Sequence, residues 1–475
     1  MRSDMETTLF RIENARNISC VTVKALAVDE VMEGPPIDLI ILLDQSESMV
    51  NQNRFRNAVK TILCALDLLT VRDIFTLITF DTVIEVRIRR LALTTENKSH
   101  IRTLLGTLAP RGTTHLSGAL SAIHEIMEGS PTTANSSSSS APIAPCKHGV
   151  FLLTDGEPTA GVTDLPGLQS HVRALMDRYP DLTITTAGIG EGHNATLLQE
   201  IATAGNGAYN IVNNLEQVAS VFGNVLGGLR TCVVQQARLL VPAATLQLTK
   251  FAERILGDQK QIMIGDIIAG TEITVVLEGL ATMVGVATED VQLKGAAVTT
   301  GIPFTNQLLM VPLTPALQEQ GILAFLRSEL SSYVERMTHA LNHGSFTREM
   351  PGLQALGRSL LAQLQVQTPS PLLDVLIREC EQTLRITEIP PPPMLMRTVS
   401  NQMSQHSTAL GTGRGILSIP IGDPTAVDIF SSPTQRHQSE TMRVSSGAYD
   451  EDDTPYPHGA GGAANPPSNP ILRRP

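Results

Sequence analysis

The segment Asp44-Gln45-Ser46-Glu47-Ser48 places three side-chain oxygens on alternate residues, immediately after the nearly unbroken apolar run Ile37 to Leu43. Oxygens spaced this way can converge on one hard cation as the backbone turns. Mg²⁺ takes about six oxygens at about 2.1 Å and usually keeps water or a partner's oxygen among them. Alone, the pattern also fits an Asx-turn leading into a helix N-cap. Arg111-Gly112-Thr113-Thr114-His115-Leu116 adds hydroxyls that could cap a helix or face the same cation. Asp155 closes a further apolar run, Gly149 to Leu153, in a Thr154-Asp155-Gly156 turn.

The elements that must position these residues follow from periodicity. Runs such as Ile37–Leu43, Ile74–Phe80, Gly149–Leu153 and Leu182–Ile189 read as strands buried on both faces. Between them, Phe55, Val59, Ile62, Leu66 and Leu69 share one helical face, and further helices are expected at 100–108, 116–127, 165–179, 195–204 and 215–229. Val83–Ile88 alternates, and Ala208–Val212 is a short strand. Strands alternating with helices predict a doubly wound, Rossmann-like α/β domain, in which ligands bind at the carboxyl ends of the strands. All three candidate segments reach that edge.

Taken together, D-Q-S-E-S, R-G-T-T-H-L and L-L-T-D-G-E resemble the metal-ion-dependent adhesion site of von Willebrand factor type A (VWA) domains. The resemblance covers 37–229 and is joined by Thr186-Ala187-Gly188-Ile189-Gly190 with Leu197, Leu198, Ile201 and Ala202. It implies that Asp44, Ser46, Ser48, Thr114 and Asp155 hold Mg²⁺ directly or through water, with Mn²⁺ or Ca²⁺ as alternative ions. Thr114 is preferred to Thr113 for its spacing to Leu120; His115 stands where the family often has Asn. The implied function is a non-enzymatic protein-interaction module or scaffold whose ion accepts an Asp or Glu from a protein partner. The helix 215–229 is expected to be a fixed core helix; sliding on metal ligation, as in the family's adhesion receptors, is the alternative.

Phe222-Gly223, Leu226-Gly227-Gly228-Leu229 and Ile264–Glu272 resemble the region after the VWA domain in plant RING-type ubiquitin ligases and in VWA–Hint proteins. No cysteine–histidine cluster for a RING is present, and no Hint nucleophile is supported. A substrate-recognition adaptor of a ubiquitin-ligase system is therefore the alternative function, followed by a metal-dependent hydrolase. Hydrolysis needs a base at the cleft, and His115 and His148 read as loop and strand-end residues.

Around this domain, the expected boundaries are 1–36 for N-terminal strands, 231–313 for a β-sandwich, 314–388 for a helical region and 389–475 for a disordered tail. The strand Val21–Val28 is expected to pair with the later strands, making the VWA domain an insertion in the sandwich. The serine-rich stretch Ser130–Pro145 reads as a flexible insertion, and Asp450–Asp453 as a solvated linker rather than an internal metal ligand.

Charge sets the remaining limits. Of the 475 residues, 35 are Lys or Arg and 46 Asp or Glu, a net charge of −11, and aromatics are 3% with no Trp. Without a cationic face or stacking platform, nucleic-acid and membrane-surface partners are excluded. The absence of an apolar leader or a spanning run of about 18 residues, with five scattered cysteines, predicts an intracellular protein with reduced thiols. Cys20 and Cys232 flank the VWA domain and are expected to stay free. The motifs carry no information on oligomeric state.

Overall fold

The computed structural model describes residues 5–13, 17–26, 34–128, 146–155, 157–190, 192–212, 214–280, 287–298, 300–391, 396–412 and 432–450. Its central sheet comprises β3 (Ile37–Asp44), β4 (Ile74–Phe80), β5 (Ile84–Ala92), β6 (Lys147–Thr154), β7 (Leu182–Ile189) and β8 (Asn206–Val212). Their order is β5-β4-β3-β6-β7-β8, parallel except for the antiparallel edge strand β5. The chain leaves β3 towards β4 and β5, then returns to the other side of β3 with β6. The carboxyl ends of β3 and β6 therefore flank the point where strand order reverses, the place where such sheets bind ligands.

Both faces of the sheet are covered, which is why β3 is buried along its whole length. Ile37, Leu39, Ile41 and Leu43 point into one core, shared with α1 (Arg54–Leu68), α2 (Thr95–Leu105) and α6 (Leu215–Arg230). Ile40 and Leu42 point into the other, shared with α3 (Leu116–Glu128), α4 (Leu165–Arg178) and α5 (Ala195–Ala204). The period-2 split of an all-apolar strand between two helical layers is what a doubly wound fold demands.

Two antiparallel sheets lie outside this domain. One has the order β1-β2-β13-β10 and contains β1 (Met5–Arg11), β2 (Ile18–Ala25), β10 (Leu246–Gln247) and β13 (Glu272–Glu278). The other has the order β11-β12-β9-β14-β15 and contains β9 (Cys232–Pro242), β11 (Ala252–Leu256), β12 (Gln259–Ile268), β14 (Ala287–Ala297) and β15 (Pro303–Leu309). Strand β2 pairs with β13 from Glu272↔Lys24 to Glu278↔Ile18, although some 250 residues and the whole α/β domain lie between them in sequence. Val21, Val23 and Val275 of the first sheet share one core with Leu239, Val241, Ile262 and Leu293 of the second. Cys20 and Cys232 are buried and not joined in a disulfide.

The helical region consists of α7 (Pro315–Asn342), α8 (Phe346–Gln365) and α9 (Pro371–Glu388). Pro351 sits inside α8 rather than breaking it. Beyond it, the Pro-, Gly- and Ser-rich composition of 389–475 predicts a disordered tail, and this needs correction for two segments. Met396–Thr412 is helix α10 and Pro433–Asp450 is helix α11. Helix α10 buries Met403, Ala409 and Leu410 against the helical region. It also accepts the Ile211 N–H on Gln405 Oε1 at 2.7 Å, which ties it to edge strand β8. Helix α11 lies along α6. A Cβ on Gly223 would stand 2.5 Å from the Gln438 carbonyl oxygen, and one on Gly227 2.7 Å from Gln435 Cα, so glycine is what lets the helices approach. Ser220 and Ser439 hydroxyls meet at 2.6 Å, and Met442 is fully buried in the α/β core. Composition averaged over the tail hides these two short apolar faces. The serine-rich insertion, and Asp450–Asp453 apart from Asp450 at the end of α11, fall outside the described residues.

Candidate metal centre

Asp44 is the last residue of β3, and Asp155 follows the last residue of β6. Side chains at the ends of adjacent parallel strands meet, and a chain of hydrogen bonds joins four of the five predicted residues. The Ser46 N–H donates to Asp44 Oδ1 at 2.8 Å. Ser46 and Ser48 hydroxyls are 3.0 Å apart, and the Ser48 hydroxyl donates to Asp155 Oδ1 at 2.8 Å. Asp44, Ser46 and Asp155 are almost fully buried, whereas Ser48 is exposed. The cluster is thus open on the Ser48 side.

Thr114 lies outside this hydrogen-bonded chain, in a neighbouring loop held to it by Arg111 and Gly112. The Arg111 N–H donates to the Gln45 carbonyl at 2.6 Å, and the Glu47 N–H to the Gly112 carbonyl at 3.2 Å. These bonds stitch the loop 109–115 to the loop 44–48. Gly112 is required there: its φ is +69°, and a Cβ would stand 2.6 Å from the Thr82 hydroxyl. The buried Thr114 receives the Thr159 N–H on its carbonyl at 2.9 Å and donates its own N–H to the Thr159 hydroxyl at 3.0 Å.

Electrostatics indicate what this cluster lacks. Burial pushes the Asp44 carboxyl up to about 6, against hydrogen bonds from Ser46 and Thr154, and the charge of Asp155 adds to the rise. Asp44 accepts from neutral groups, the N–H and hydroxyl of Ser46 and the Thr154 hydroxyl. Asp155 has one cationic partner among the described residues, Arg54, whose Nη1 lies 2.6 Å from Oδ2. Two buried carboxylates beside neutral hydroxyls, with one guanidinium between them, are short of positive charge, and the donor set is all oxygen. Both features fit a hard divalent cation.

Two contributors, Arg54 and Thr159, escape the sequence motifs. Arg54 lies six residues beyond Ser48, at the start of α1, where nothing in the sequence distinguishes it from a surface charge. Thr159 lies four residues beyond Asp155 with nothing to mark it, while Thr154 falls inside L-L-T-D-G-E with no role assigned to it. Because the Arg54 guanidinium occupies Asp155 Oδ2, Arg54→Met is expected to tighten Mg²⁺ binding by about tenfold, the equivalent of 1.4 kcal/mol; isothermal titration at fixed ionic strength reads this directly.

A doubly wound sheet with an oxygen cluster at the reversal point of its carboxyl edge defines an open-sheet α/β domain of the Rossmann-like class. Residues 38–224 match the model of the von Willebrand factor type A domain, and this part of the chain is a VWA domain. Such domains typically mediate protein–protein interaction or adhesion, commonly with a divalent metal, and are mostly non-catalytic. In sequence the chain is 22% identical over 268 residues to the uncharacterized protein YfbK of Escherichia coli, covering 54% of this chain and 44% of that one. It is 25% identical over 244 residues to the inter-alpha-trypsin inhibitor heavy chain H1 of Sus scrofa, covering 50% of this chain and 26% of that one. The chain therefore spans less than half the length of these curated relatives. In structure it is similar to a von Willebrand factor type A protein from Catenulispora acidiphila, with a TM-score of 0.58 and 16% identity over 86% of this chain and 96% of that one. The likeness of fold thus reaches well beyond the VWA domain. Among the described residues, no helix is long and apolar enough to cross a membrane.

Proposed function

We propose that this chain is a Mg²⁺-dependent protein-binding module, in which Asp44, Ser46, Ser48, Thr114 and Asp155 hold the ion and a partner's Asp or Glu completes its shell. The observation that carries this reading is the hydrogen-bonded chain Asp44–Ser46–Ser48–Asp155 at the reversal point of the sheet. Neutral hydroxyls close to the ion leave it strongly electrophilic, so an incoming carboxylate is attracted despite the overall net charge of −11. Mn²⁺ and Ca²⁺ are the alternative ions, and a scaffold role inside the cell is the setting that fits the free thiols. The cluster's two carboxylates are committed to the ion in this reading, and among the described residues their hydrogen-bond partners are hydroxyls, a backbone amide and Arg54 rather than a further base. Binding rather than turnover is therefore the role it supports.

Affinity purification of the full chain in Mg²⁺ and in excess chelator, followed by mass spectrometry, tests the proposal. Partners that appear with Mg²⁺, vanish with chelator and compete with free acidic peptides are expected. A partner set indifferent to chelator refutes it.

A further inference from the structure

The opposite, amino-terminal edge of the same sheet holds a second cluster. Asp38 and His148 face each other in register on β3 and β6, and Asp181 immediately precedes Leu182, the register partner of His148 on β7. His148 Nδ1 lies 3.0 Å from Asp38 Oδ2, and Nε2 lies 3.6 Å from Asp181 Oδ2. The Cys146 sulfur stands 3.7 Å from the same Nε2. Arg90 closes the arrangement from behind, with Nη2 3.1 Å from Asp38 Oδ2. Arg90 reaches Asp38 from an irregularity in β5, where two residues oppose one on β4, and it adopts a φ of +42°. A strained bulge that re-aims one side chain towards a buried carboxylate is the kind of feature found at functional positions.

From this geometry we propose that Cys146 is a nucleophilic cysteine and a site of modification by hydroperoxides, with His148 as its cationic partner and Asp38 as the positioning residue. A thiol beside a base that is itself oriented by a third group is the arrangement that activates cysteine. The imidazole is held from both sides by carboxylates, Asp38 and Asp181, so it is cationic and cannot turn away from the sulfur. Burial alone would push His148 down, but Asp38 and Cys146 outweigh it and hold it up at about 10, so the ring carries its proton throughout the neutral range. The other charges at this edge are already matched: the buried Lys147 ammonium lies 2.9 Å from Asp266 Oδ2, and Arg90 pairs with Asp38.

Cys146 also differs from the other cysteines in access. It is half-buried, whereas Cys20, Cys64, Cys232 and Cys380 are buried. Burial pushes the Cys20, Cys64 and Cys380 thiols up to about 12, which keeps them protonated and inert. When the Cys146 thiolate attacks a hydroperoxide, an S–O bond forms and the O–O bond breaks. Sulfur loses two electrons to the peroxide, Cys146 becomes a sulfenic acid, and the leaving oxygen takes its proton from His148 or water.

The test treats the full chain, in chelator, with hydrogen peroxide from pH 5 to 9 and traps sulfenic acid with dimedone for peptide mass spectrometry. The adduct is expected on Cys146 and on none of the four buried cysteines. His148→Gln should slow its formation about tenfold at pH 7, because the cation beside the sulfur is lost. His148→Gln that matches wild type in rate overturns the proposal. If that variant does not fold, the site of modification in wild type decides, and adduct forming on the buried cysteines as fast as on Cys146 overturns it. Zinc present at one per chain in the purified protein, and lost in Cys146→Ser, also overturns it in favour of a metal site.

Discussion

Asp44→Asn is expected to weaken Mg²⁺ binding by more than about 100-fold. Loss of a residue that merely orients a metal ligand costs about 10- to 100-fold, and Asp44 would be lost from the ligand set itself. The substitution keeps the shape of the side chain and an acceptor for the Ser46 N–H, so it removes charge while sparing the loop. Folding should not suffer: burial and Asp155 both oppose the Asp44 charge, so in chelator the variant is expected to be at least as stable as wild type. Titration calorimetry gives the affinity, and thermal unfolding with and without Mg²⁺ gives the stability. A variant that binds Mg²⁺ as wild type does removes Asp44 from the site, whereas one that unfolds in chelator shows Asp44 to be a structural residue.

Arg230→Ala is expected to cost about 3–5 kcal/mol of stability, the usual cost of stranding a buried charge. Arg230, the last residue of α6, grips the fully buried Asp73 with both guanidinium nitrogens, at 2.9 Å to Oδ1 and 2.7 Å to Oδ2. Asp73 also accepts the Ile37 N–H at 2.9 Å and the Thr70 N–H at 2.7 Å, so the start of β3 and the end of α6 share one carboxylate. Burial pushes Asp73 up, but the Arg230 guanidinium and these backbone donors outweigh it and hold it below the usual carboxylate value. A carboxyl depressed on folding contributes stability above its unfolded value of about 3.9. That contribution is lost as pH falls through the lower folded value, so wild type and Arg230→Ala should converge in acid. Denaturant titrations at neutral and acid pH measure the gap. A double variant Arg230→Ala/Asp73→Ala should recover part of the loss, because no charge is then stranded; equal losses in the single and double variants would contradict this account.

Much of the α/β domain is legible in the sequence because its strands are buried on both faces and its helices on one. Ala195–Ala204 and Ile74–Phe80 coincide with the expected elements, since an unbroken apolar run and a 3.6-residue stripe need no distant partner to be recognised. The edge strand Ile84–Ala92 extends beyond its alternating portion because β4 supplies the missing hydrogen bonds. Strand Met5–Arg11 has no comparable signal. Its ladder with β2 depends on a chain reversal that leaves no apolar pattern of its own.

At the candidate metal centre, the resemblance pointed to Asp44, Ser46, Ser48, Thr114 and Asp155, and the hydrogen-bonded chain joins Asp44, Ser46, Ser48 and Asp155 because side chains at the ends of adjacent parallel strands lie close together. The Arg54–Asp155 pair was not legible in the motifs, since a guanidinium reaches several ångströms and its target depends on how α1 packs. The same holds for Cys146 and His148, two residues apart at a strand start, whose chemistry depends on Asp38, Asp181 and Arg90 arriving from three other segments. Helices α10 and α11 lie in a segment whose average composition resembles a linker, and only α6, β8 and the helical region supply the surfaces that order them. Local periodicity and strand-end chemistry act over a few residues and can be read from the chain alone. Charge pairing and helix docking are long-range, set by which surfaces folding brings into contact.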